Sequence, residues 1–162
     1  MIGCVIQSPL GNIRIGRDDT GITELKFTEE PVSISEDELL CRCAQELEEY
    51  FLGNRTVFDL PLSLKGTEFQ KKVWNILTDI PYGHTETYGS IALKAGNPQA
   101  SRAVGSACHN NPVWILIPCH RVIHKSGEAG NYAAGKEKKE FLLHLEAANL
   151  LQAGANRCKV KT

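Results

Sequence analysis

Apolar and polar positions alternate in three short stretches at the start of the chain: 2–7 (IGCVIQ), 12–16 (NIRIG) and 22–27 (ITELKF). The intervening SPLG and RDDTG carry the proline, glycine and aspartate that tight turns use. A period of two broken by turn chemistry predicts a small antiparallel sheet. The period then changes. Leu39, Leu40, Cys43, Leu47, Tyr50 and Phe51 recur at helical spacing up to Gly53, and Ser35 with Glu38 has the spacing of a capping box. That helix is expected to cover one face of the sheet.

Residues 54–66 contain Pro61 and Gly66 and keep no period, which predicts a connector. Cutting after Leu62 divides the chain into units 1–62 and 63–162. The second unit opens with Thr67 and Gln70 at capping-box spacing, followed by Phe69, Val73, Ile76 and Leu77 on one helical face, and it turns at Pro81-Tyr82-Gly83. A short helix over 87–95 then meets Gly96-Asn97-Pro98 and a second helix over 98–109, for which Asn97 is the expected cap. Two short helices joined by a glycine turn make a helix-turn-helix pattern. The second of them is smooth: Ala100, Ser101, Ala103, Gly105, Ser106 and Ala107 are small and Arg102 alone is long and charged. Such a surface suits either tight packing within the protein or close approach to a duplex, where one arginine can reach between bases.

Charge sharpens the choice. The net charge is only -1, yet residues 1–62 carry 5 Lys+Arg against 12 Asp+Glu, and residues 63–162 carry 13 against 7. The basic half points to an anionic partner such as nucleic acid. At 162 residues and 42% hydrophobic, the chain can bury a core. It has no apolar run of membrane-spanning length, and its start lacks the basic-then-apolar pattern of an export signal, so a cytoplasmic location and no membrane are expected. Its six cysteines show no paired Cys-x-x-Cys spacing and are expected to be free thiols.

One thiol stands in an unusual setting. Val113 to Ile117 reads as a buried strand, Pro118 ends it, and Cys119 follows with His120 and Arg121. A cysteine attacks as thiolate and needs a base or a cation beside it, and His120 is the nearest candidate base. On an extended chain the two side chains point to opposite sides, so a bridging water or a bend is required. A carboxylate would fix the imidazole tautomer. The residues of the second unit leave Glu68, Asp79, Glu86, Glu128, Glu137, Glu140 and Glu146 as candidates.

The blocks GTEFQKKVW (66–74), IPYGHTETYGSIA (80–92), GNPQASRAVGSA (96–107), NPVWILIPCHRVI (111–123) and GNYAAGKEKKEFLLHLE (130–146) together resemble the O6-alkylguanine-DNA alkyltransferases. The likeness is close from Gly66 to Glu146 and looser over 1–62. It implies an α+β fold, with an N-terminal small antiparallel sheet with a helix, and a C-terminal mainly helical domain with a helix-turn-helix and a short active-site strand. It also implies a protein that acts once, without a cofactor: Cys119 takes the alkyl group, and His120, Glu146 (on a final helix over 136–151) and a water draw off its proton. By the same resemblance Tyr88 assists protonation of the departing base. Arg102 fills the stack behind the flipped nucleotide, while Ser101, Ala103 and Gly105 lie along the minor groove. Asn111 ties the recognition helix to the active-site segment. Trp114, Val122, Tyr132 and Ala133 would line the substrate pocket. The implied partner is double-stranded DNA containing O6-alkylguanine, met by a monomer.

The chain departs from the family pattern at Trp114, where many relatives have proline, and at Ala133-Ala134, where they have Ser-Gly or Ala-Gly. The first is expected to narrow the pocket against bulky adducts, and the second to stiffen a pocket loop. Some relatives bind zinc in the N-terminal domain; Cys4 has no matching partners, and no metal is expected. Two other functions share some of these features. Lesion sensors of the same fold carry another residue, typically tryptophan, at the cysteine position. A Cys-His hydrolase needs an oxyanion-hole glycine pattern that is missing around Cys119.

Overall fold

The computed structural model describes residues 2–130 and 132–160, so Asn131 and the side chain of Cys158 lie outside the described residues. Its first half is the expected sheet. Strands β1 (Ile2–Ile6), β2 (Ile13–Arg17) and β3 (Ile22–Phe27) pair antiparallel in the order β1-β2-β3, with Ile6 opposite Ile13 and Ile15 opposite Leu25. Alternation places Ile13 and Ile15 at zero exposure on the inner face. Helix α1 (Glu38–Phe51) covers that face with Leu39, Leu40, Cys43, Leu47 and Tyr50. Each fully buried leucine there contributes about 2 kcal/mol.

The start of α1 differs from expectation. Asp37, not Ser35, is the N-cap: its carboxylate accepts from Leu40 N at 3.0 Å, and Ser35 Oγ accepts from Asp37 N instead. Aspartate two residues nearer the helix reaches the free N–H groups directly, and its negative charge complements the helix N-terminus.

The second half begins with helix α2 (Glu68–Thr78), whose Thr67–Gln70 capping box is complete in both directions. Strand β4 (Glu86–Thr87) leads into helix α3 (Tyr88–Lys94), capped by Thr87. Gly96, at φ 89°, makes the turn into helix α4 (Ser101–His109). That helix starts three residues later than its sequence suggests and has no side-chain cap, because the Asn97 carboxamide accepts from Gln99 N within the turn. Trp74 Nε1 donates to Ala107 O at 2.9 Å and locks α2 to α4.

Residues 113–117 are almost wholly buried, as expected, but do not form a continuous strand. Val113 makes one parallel bridge to Leu25 on the β3 edge, then the chain folds back through Ile115 at φ 73°, so that Ile117 N donates to Val113 O. A β-branched residue in the left-handed region costs on the order of 1–3 kcal/mol and has to be held there by its surroundings. A 3-10 turn (Cys119–Arg121) follows, then strand β5 (Val122–Ile123), which pairs parallel with β4. Helix α5 (Lys136–Val160) closes the fold and extends beyond the expected 136–151. Among the described residues, no helix is long and apolar enough to cross a membrane.

Candidate active site

The 3-10 turn replaces the extended geometry expected at Cys119, and its tighter winding sends the Cys119 sulfur to Asn111 while His120 and Arg121 both reach Glu146. Cys119 is 2% exposed, and its sulfur accepts from Asn111 Nδ2 at 3.2 Å. Asn111 sits just past the end of α4. Its Nδ2 also donates to Ile117 O at 2.9 Å, and its Oδ1 accepts from Val113 N at 2.9 Å. One carboxamide therefore holds both ends of the strained turn and touches the thiol it presents.

His120 is fully buried, with Nε2 2.7 Å from Glu146 Oε2. Arg121 grips the same carboxylate: Nε lies 2.8 Å from Oε1, Nη2 lies 3.0 Å from Oε2, and Nη1 donates to Ile80 O. Gly83 N donates to Oε1, and Tyr50 OH donates to Oε2 at 2.6 Å. Burial would push Glu146 up, but the hydrogen bonds from His120 and Arg121, with the charge of the guanidinium, outweigh it and hold the carboxyl well below the usual carboxylate range. Burial pushes His120 down despite its bond to Glu146, so the imidazole rests neutral. An ionised carboxylate can only accept, so Nε2 carries the proton and Nδ1 keeps its lone pair. Nδ1 has no hydrogen-bond partner among the described residues.

Burial pushes the Cys119 thiol up to about 11, opposed by the Asn111 bond and by the charge of Lys139. Lys139 is itself fully buried, donating to Val122 O at 2.6 Å and to Tyr88 OH at 3.4 Å. The Tyr88 hydroxyl is pushed up to about 12, by burial first and then by the two nearby thiols, Cys108 and Cys119.

These groups border a cavity of about 440 Å³ lined by Tyr88, Ser101, Arg102, Gly105, Cys108, His109, Cys119, His124, Tyr132 and Ala133, within the roughly 300–1,000 Å³ typical of small-ligand sites. Cys119, Tyr88, Arg102, Ser101, Gly105, Tyr132 and Ala133 are thus brought together as the sequence suggested, with His120, Glu146 and Asn111 behind the thiol. Ala103 lies on the exposed side of α4, away from the cavity lining. Trp114 and Val122 do not line the cavity either. Trp114 packs between Phe27 and Tyr132, with centroids at 5.8 and 6.1 Å, because the turn at Ile115 carries it toward the sheet. Val122 is fully buried in β5. The expectation that Trp114 narrows the cavity therefore has no direct contact behind it; its influence passes through Tyr132.

Five residues of the site escaped the sequence: Tyr50, Cys108, His109, His124 and Lys139. Lys139 left a signal, since with Leu142 and Glu146 it falls on one stripe of α5, a charged residue at a core position. His124 packs its ring 5.2 Å from Tyr88 and left none. Among the described residues, no group of three or more His, Cys, Asp or Glu could hold a metal ion.

Comparison with known proteins identifies the family and the fold. Residues 1–64 match the family model described as 6-O-methylguanine DNA methyltransferase, ribonuclease-like domain, and residues 68–148 match 6-O-methylguanine DNA methyltransferase, DNA binding domain. A methylated-DNA–protein-cysteine methyltransferase of Methanosarcina acetivorans is 45% identical over 155 residues, covering 91% of this chain and 99% of that protein. The constitutive methylated-DNA–protein-cysteine methyltransferase of Bacillus subtilis is 43% identical over 151 residues, covering 86% and 92%. Among solved structures, Mycobacterium tuberculosis OGT in complex with DNA superposes with a TM-score of 0.82 at 39% identity, covering 90% of this chain and 92% of that one.

Proposed function

The chain belongs to the 6-O-methylguanine DNA methyltransferase family, and from its site we propose that it repairs duplex DNA by moving the alkyl group of O6-alkylguanine irreversibly onto its own Cys119. One observation carries the assignment of roles: a buried thiol at a base-sized cavity, with a neutral imidazole nearby whose Nδ1 has no partner among the described residues and whose Nε2 is held by an ionised carboxylate.

The cavity cannot be reached by a base inside a duplex, so the damaged nucleotide is flipped out, at least cost where its pairing is already weakened. Helix α4 presents Ser101, Ala103 and Gly105 to the minor groove, and exposed Arg102 at the cavity mouth fills the gap left in the stack. The thiol proton passes to His120 Nδ1 through a bridging water. The imidazolium so formed is stabilised by Glu146, and the thiolate by Asn111 and Lys139. Sulfur attacks the alkyl carbon in line, the carbon–oxygen bond breaks, and its electron pair leaves with guanine. Tyr88 gives a proton to the base as it departs, and the ammonium of Lys139 stabilises the phenolate. The product thioether resists hydrolysis, so each molecule reacts once.

Intact-protein mass after incubation with a duplex carrying one O6-methylguanine tests this. The expected result is a stoichiometric gain of one CH2, mapped to Cys119 and absent from Cys119→Ala. Lesion binding without mass gain would sink the proposal in favour of damage sensing.

A further inference from the structure

Tyr50 belongs to α1, in the sheet-and-helix half of the chain, yet its hydroxyl meets Glu146 on α5 at 2.6 Å. It is fully buried, and its ring packs against Phe51, Phe58 and Tyr82. A buried tyrosine needs an acceptor for its O–H, and any backbone carbonyl would serve. Here the acceptor is the same carboxylate oxygen that holds His120 Nε2.

We propose that Tyr50 is a positioning residue of the alkyl transfer: its hydroxyl takes up part of the charge on Glu146 Oε2 and orients that oxygen toward His120, so that the N-terminal unit sets the strength of the base serving Cys119. The inference rests on the function proposed above. Oε2 accepts from Tyr50, His120 and Arg121, and donors to one anion compete for its charge. With Tyr50 in place Glu146 pulls less on the imidazole proton, which keeps His120 neutral and Nδ1 free to accept. The other titratable groups facing this pair are Cys119 and Arg121 on the 3-10 turn, Tyr82 ahead of β4, Tyr132 before α5, and Lys139 on α5. Of the side chains that donate to the carboxylate, Tyr50 can lose its donor without changing any formal charge.

The test is the single-turnover rate of methyl transfer from an O6-methylguanine duplex, followed across the pH range in which histidine titrates. Four full-length proteins are compared: wild type, Tyr50→Phe, a site-specific 3-fluorotyrosine at position 50, and Leu47→Ala as a packing control on the same helix. Tyr50→Phe moves the acid limb up by roughly half to one pH unit, because His120 then faces a less neutralised carboxylate and holds its proton to higher pH. Fluorotyrosine, the stronger donor, moves it down, and it preserves the fold should the phenylalanine variant fail to form one. Leu47→Ala lowers Tm and leaves the limb in place. Coincident limbs for wild type, Tyr50→Phe and fluorotyrosine would overturn the inference, and so would an equal shift in Leu47→Ala. The His120 imidazole titration, followed by NMR, reads the same shift without turnover. A wild-type protein that transfers no methyl would therefore count against the proposed function, while the imidazole shift would still decide the role of Tyr50.

Discussion

Asn111 Nδ2 donates to the sulfur of Cys119 at 3.2 Å while it holds Ile117 O at 2.9 Å. The residue that donates to the sulfur is therefore also the clamp that keeps Ile115 in its left-handed conformation. Chemistry and backbone strain are fastened by the same carboxamide.

Replacing Asn111 with alanine is expected to cost about 3 kcal/mol of stability, since Val113 N and Ile117 O are left buried without that partner. Asn111→Asp keeps an acceptor for Val113 N but sets negative charge against the sulfur. Its methyl-transfer rate should fall more than its melting temperature, and equal losses in both variants would remove the electrostatic role.

Burial raises the Cys119 thiol to about 11, so at neutral pH the free protein holds it protonated. Exposed Cys41 should then react first with iodoacetamide, and labelling of Cys119 should accelerate about tenfold per pH unit on the way up to its pKa. Peptide mapping of the alkylated protein reads both rates. Prompt labelling of Cys119 at neutral pH would mean that the thiolate forms before DNA arrives.

Under the proposed mechanism Glu146 serves both the transfer chemistry and the stability of the fold. Its folded pKa lies below the ordinary value of 4.5, so its contribution is complete above that pH and is lost as the pH falls through the folded value. Acidification below about 4.5 should lower the wild-type Tm. Glu146→Gln strands buried Arg121 and His120, with an expected loss of about 3–5 kcal/mol at neutral pH and a flatter Tm-versus-pH curve in the acid range. Its methyl-transfer rate should drop about 10²- to 10⁴-fold.

A Cβ added at Gly105 meets nothing within 4 Å among the described residues. Gly105→Ala should therefore leave the fold as stable or gain up to about 1 kcal/mol in the helix interior. If α4 lies against a duplex, the same methyl group obstructs close approach and weakens binding, measurable by fluorescence anisotropy. Unchanged affinity would place the DNA on another face.

The local patterns were legible because their causes are local. The period of two, the period of 3.6, the Thr67–Gln70 capping box and the glycine turn at Gly96 depend on residues a few positions apart. The exceptions were local competitions that composition alone could not settle: Asp37 displaced Ser35 at the free N–H groups of α1, and Asn97 turned its carboxamide to its own turn. The segment 113–117 had the apolar content of a strand, but Ile117 N turns back to Val113 O, and Asn111 holds Ile117 O and Val113 N, so it folds into a turn.

By itself the sequence determined the α+β architecture, the adjacency of Cys119 and His120, the smooth α4 with its single arginine, and the family. Only the tertiary structure decided what stands around the thiol. His120 and Glu146 are 26 positions apart and Tyr50 and Glu146 are 96 apart, and no spacing rule joins residues at such distances. Their pairing follows from burial: a carboxylate sealed in a core must be met by donors, and packing α1, the 3-10 turn and α5 around one point supplies Tyr50, His120 and Arg121 to meet it.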